Sequence, residues 1–76
     1  MDTKEFLLGV VNSIRENKEQ GKLSEIHNSD RLREDYSFTS FDLAELTVKI
    51  EDEFDIDIFE DGLVNTVGEI IAKLEK

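Results

Sequence analysis

The chain has 76 residues, 19 acidic against 9 basic, a formal net charge of −10, and neither cysteine nor proline. That length supports one small domain with a marginal core, and the missing thiols exclude a disulfide framework or a thiolate zinc site. The acidic balance makes nucleic acid and anionic membrane poor partners, since phosphate binding needs clustered Lys and Arg, and points to a basic protein surface instead.

The N-terminal apolar run, residues 6–11, follows Asp2 and Glu5 and is too short to span a bilayer. No signal peptide or membrane insertion is expected, and a cytoplasmic location is. Residues 3–18 read as a helix. Asp2 and Glu5 have the spacing of a capping box, and Phe6, Leu7, Val10, Val11 and Ile14 repeat at three- and four-residue intervals. Gly9 costs about 1 kcal/mol against Ala in a helix interior. Gly21 is the expected stop. From Gly21 to Thr39 the periodicity fades, and Leu23, Ile26, Leu32 and Tyr36 read as apolar anchors of a long connection pinned to a core. The single histidine, His27, lies here. As a catalytic base it would need a nucleophile placed by the fold; otherwise it is a loop residue.

The stretch from Thr39 to Phe54 organises the chain. As one helix over 40–54 it makes about four turns, roughly 24 Å at ~1.5 Å per residue. Leu43, Leu46, Ile50 and Phe54 fall on one side, with Thr47 at its edge. The opposite side carries Phe41, Ala44, Glu45, Val48, Glu51, Asp52 and Asp55. Phe41 and Val48 among acids suggest a surface that meets a partner. At the helix start, Thr39 with Asp42 three residues on predicts Thr39 as the cap. Ser40 then becomes the first helical residue, with its hydroxyl free near unpaired backbone N–H groups.

Beyond Phe54, Ile56 and Ile58 are expected to plug the core, and a short helical turn is expected at about 60–64. The last helix is predicted over 66–75, with Thr66 and Glu69 at capping-box spacing and Val67, Ile70, Ile71 and Leu74 as its buried stripe. The fold class is therefore all-α, a small antiparallel three- to four-helix bundle with a long first loop. Leu46, Ile50 and Phe54 should pack against Val10, Ile14, Val67 and Ile71.

Enzymatic constellations fail on their own terms. An EF-hand loop begun at Asp57 or Asp55 puts Phe59 at a ligand position. Carboxylates paired for glycosyl transfer need a cleft that a domain this small hardly offers. A Ser-His-Asp hydrolase needs a Gly-x-Ser-x-Gly elbow, which is absent. The chain is not expected to be an enzyme, and no metal site is expected.

The run Thr39-Ser40-Phe41-Asp42, then Glu45-Leu46, then Ile50-Glu51-Asp52-Glu53-Phe54-Asp55-Ile56-Asp57-Ile58, and later Thr66-Val67, resembles the acyl carrier proteins. Their pattern is an Asp-Ser-Leu motif opening an acidic second helix that ends in Glu-Glu-Phe and an Ile-x-Ile-like turn. The match runs without a gap from about Glu34 to Ile58. The resemblance implies that residues 1–76 form a single carrier domain and that Ser40 carries 4′-phosphopantetheine, placed by a phosphopantetheinyl transferase from coenzyme A with magnesium. It implies acyl or aminoacyl thioesters on the arm, delivered to acyl-loading and condensing enzymes with basic docking surfaces in fatty-acid, polyketide or related biosynthesis. By the same resemblance partners bind at Phe41, Asp42, Ala44, Glu45, Val48, Glu51 and Asp52, and the carrier acts as a monomer. Three positions depart from the pattern. Thr39 replaces the usual Asp, Tyr36-Ser37 replaces Leu-Gly, and Phe59 replaces the Pro after the turn, with the third-helix region about two residues short. Thr39 is the residue that keeps an alternative open, an unmodified acidic helical adaptor with the same fold.

Overall fold

The computed structural model describes residues 2–60, 62 and 64–75, and among them there are three helices and no strand. Helix α1 (Thr3–Asn17) starts where Asp2 accepts from the N–H groups of Lys4 and Glu5. It buries the expected stripe, Leu7, Val10, Val11 and Ile14. It ends within a residue of the expected bound, but the stop is not Gly21. Lys18 is the C-cap, Glu19 takes the left-handed conformation at φ 60°, and the N–H groups of Glu19 and Gln20 return to the carbonyls of Glu16 and Arg15. That is a Schellman closure. It falls two residues before Gly21 because the position of the left-handed residue is counted from the last helical turn, whatever side chain stands there.

Helix α2 (Ser40–Phe54) and helix α3 (Val67–Leu74) both pack on α1. Leu43, Leu46 and Ile50 of α2, with Val67 and Ile70 of α3, join the α1 stripe in one core, and Phe54, Ile71 and Leu74 pack half-buried against it. Phe54 meets the Phe6 ring edge-on at 5.2 Å. Each fully buried aliphatic side chain stabilises by about 1.5–3 kcal/mol, so a domain of this size has few to spare.

The connection between α1 and α2 is pinned to that core by Ile26, Leu32, Tyr36 and also Phe38, with Leu23 partly buried. Asp30 knots it. Its carboxylate accepts from the His27 N–H at 2.9 Å and from the Tyr36 hydroxyl at 2.6 Å. Burial, with the Asp30 carboxylate second, pushes the Tyr36 hydroxyl well above its usual pKa. The same segment is stitched to the far end of the chain. Leu32 N–H donates to Asn65, Val67 N–H to Asp30 and Gly68 N–H to Asn28, at 2.8, 3.0 and 2.9 Å. A Cβ on Gly68 would stand 3.0 Å from the Asn28 carbonyl oxygen and 3.2 Å from its Cβ, so a larger residue there must push Asn28 aside by a few tenths of an ångström.

The helical turn expected at about 60–64 falls partly on Asp61 and Leu63, outside the described residues. Just before them is a turn over 58–60, where Glu60 N–H reaches the Asp57 carbonyl at 3.2 Å. Ile58 is buried there and Ile56 half-buried.

Candidate functional site at the start of the second helix

Thr39 caps α2 with a complete box. Its hydroxyl accepts from the Asp42 N–H at 3.2 Å, and Asp42 Oδ2 accepts from the Thr39 N–H at 2.9 Å. With the cap assigned to Thr39, Ser40 is the first helical residue and is exposed. Among the described residues its hydroxyl has no hydrogen-bond partner, and the N–H groups of Ser40 and Phe41 are likewise unpaired. A free nucleophilic oxygen therefore stands beside two free donors at the positive end of the helix dipole, a setting that favours a phosphate ester.

Asp42 does not lie where sequence reasoning put it. It is only 6% exposed, its side chain turned back over the cap instead of outward with the partner face. The reciprocal bond to Thr39 requires that turn. Lys18 completes it, donating from Nζ to Asp42 Oδ2 at 2.7 Å and to the Ser37 carbonyl at 2.6 Å. Burial works to raise the Asp42 pKa, but the Lys18 ammonium and the Thr39 bonds outweigh it and hold the carboxyl below its usual range. Ser37 itself is left-handed at φ 59°. The chain must turn there through a conformation glycine adopts freely, and with Ser37 in place of glycine it does so at a cost.

The other expected partner residues divide by exposure. Phe41 is 78% and Val48 65% exposed, Ala44, Glu51 and Asp52 are exposed, and Glu45 is half-buried. Beside them a groove of about 460 Å³ opens at Ser40. Leu43, Ala44, Thr47 and Val48 line it along α2, and Arg33, Asp57 and Phe59 line the other side. Sequence reasoning missed Arg33, Lys18 and the buried Phe38. The Leu-Gly position was the one local signal for the left-handed turn. Lys18 gave none, because its partner lies on another helix. His27 sits in the loop against Glu25 at 3.1 Å, away from Ser40's groove. Among the described residues no group of carboxylate and histidine side chains is placed to hold a metal.

The family model for the phosphopantetheine attachment site matches residues 18–74. The chain belongs to that family. No curated protein and no solved structure matches it. Domains of this family are carriers and not catalysts, and their cofactor is 4′-phosphopantetheine, held covalently. The residues fit that group: a free serine hydroxyl, two free N–H donors and an open groove meet at one helix start. No helix among the described residues is long and apolar enough to cross a membrane.

Proposed function

We propose that Ser40 is the attachment point, and that this carrier holds acyl or aminoacyl groups as thioesters on the arm for partner enzymes of fatty-acid, polyketide or related biosynthesis. The free Ser40 hydroxyl at a start already capped by Thr39 carries this reading. In the loading step the Ser40 oxygen bonds to the pantetheine-side phosphorus of coenzyme A. The pyrophosphate P–O bond breaks and adenosine 3′,5′-bisphosphate leaves with the electron pair. The hydroxyl proton passes to a base of the transferase. The chain's own part is to expose the hydroxyl, to offer the Ser40 and Phe41 N–H groups to the ester oxygens, and to give the arm a groove beside α2.

Phe41, Ala44, Val48, Glu51 and Asp52, with Glu45 at their edge, form the docking face of this reading. The acids steer a basic partner and the two apolar side chains make contact once it arrives. Asp42 takes no part in the steering, because its charge is buried against Lys18. The adaptor alternative rested on Thr39, and Thr39 supplies a complete cap in place of the usual Asp. The test is intact mass after incubation with coenzyme A, magnesium and a promiscuous transferase. One phosphopantetheine should be added to the wild type and none to Ser40→Ala. Fragment masses that place the arm on Ser13, Ser24, Ser29 or Ser37 would overturn the assignment.

A further inference from the structure

Lys18 grips residues on either side of Ser40 without bonding to Ser40 itself. It closes α1, and its ammonium group bridges the Ser37 carbonyl at 2.6 Å and the Asp42 carboxylate at 2.7 Å. It also stands 5.9 Å from the centre of the Phe38 ring. The segment it grips would otherwise have reason to move. Ser37 is in a left-handed conformation that serine resists, and the backbone from there to Thr39 must deliver Ser40 to the first helical position. The Asp42 side chain is 9% exposed, so its charge is largely cut off from water and needs the cation. A phosphodiester on Ser40 would meet a second negative charge two residues on if that carboxylate were free to swing out.

We infer that Lys18 is a positioning residue for the loading of Ser40. By latching Ser37 and Asp42 together it holds the turn that presents the serine oxygen, and it withdraws the nearest carboxylate from the incoming phosphate. This rests on Ser40 being the attachment point. The latch lies off the docking face, so its loss should lower kcat for arm transfer and leave the KM for the carrier nearly unchanged.

Three variants test it: Lys18→Met, which keeps an unbranched side chain of similar length and removes the charge, Lys18→Arg, and Lys18→Met combined with Gly9→Ala. Gly9 is exposed in mid-helix with nothing within 4 Å of an added Cβ, so Gly9→Ala raises the melting temperature without touching the site. Lys18→Met should slow loading by about tenfold, since small misplacements of a reacting group cost on that order or more. Lys18→Arg should recover most of the rate, and the double variant should regain stability while staying slow. Wild-type or faster loading by Lys18→Met, or recovery in the double variant, would overturn the inference. Amide exchange on the unmodified protein judges the latch independently of any arm. Lys18→Met should expose the Asp42 amide about tenfold more while Ile50 is unchanged. Equal protection of Asp42 in both proteins would refute the latch even if Ser40 takes no arm, an outcome that would separately defeat the attachment assignment.

Discussion

Two helices of this protein begin with the same device and end up with opposite roles. Thr39 and Asp42 box the start of α2, and Thr66 and Glu69 box the start of α3. At α3 the first two helical amides, Val67 and Gly68, are consumed by the carbonyls of Asp30 and Asn28, and Val67 is buried. At α2 the equivalent amides, on Ser40 and Phe41, have no acceptor among the described residues, and both side chains are exposed. The acids differ as well. Glu69 is exposed and accepts from the Asn65 and Thr66 N–H groups, whereas Asp42 is buried and shared with Lys18. A capping motif thus says where a helix starts. What the chain stacks on that start decides whether it is a joint or a site.

The sharpest way to break the α3 joint is Gly68→Ala. The added methyl would press on the Asn28 backbone, and the expected loss is about 1–3 kcal/mol, read from urea unfolding. Loading of Ser40 should survive wherever the protein stays folded. Removing the two caps separates the roles further. Thr39→Ala and Thr66→Ala should each cost about 1 kcal/mol. Only Thr39→Ala should slow arm transfer, because only there does the cap hold the Asp42 carboxylate back from Ser40.

Acid should weaken both starts. Asp42 is held below the usual carboxylate range as described, and Glu69 is lowered by the Asn65 and Thr66 N–H groups and the Thr66 hydroxyl, against a raising effect of burial. Each binds a proton less readily folded than unfolded. Their contribution is therefore complete above an unfolded pKa of about 4 and lost as pH falls through the lower folded value. Melting temperature should stay level from neutral pH to about 5 and drop below about 4. Asp42→Asn should flatten that acid limb more than Glu69→Gln. The smallest effect is expected of Ser37→Gly, which relieves a left-handed serine and should add about 0.5–1 kcal/mol, measured as a shift in the urea midpoint.

Local features were legible in the sequence and distant ones were not. The stripes of α1 and α2 and the Thr39 and Thr66 caps depend on neighbours three or four residues away, so periodicity and spacing find them. The resemblance put Asp42 among the partner contacts, and a motif match carries no side-chain direction, so it could not show that a reciprocal cap bends the carboxylate back. Lys18 needed a partner 24 residues on, which only packing of α1 against α2 supplies. Gly21 drew attention as the residue best suited to a helix stop, and Glu19 took that role because geometry outranks propensity there.

The stitch between the first loop and α3 has a consequence for the order of events in the cell. The carbonyls of Asn28 and Asp30 and the N–H of Leu32 find their partners on residues 68, 67 and 65, far along the chain. A growing polypeptide that has released α1, the loop and α2 still holds those groups unmatched. The turn into Ser40 follows directly from that loop, through the Phe38 N–H bonded to the Leu32 carbonyl at 3.1 Å. Ser40 would therefore take its final place only once α3 has packed against that loop, so the geometry at the start of the second helix waits on the third.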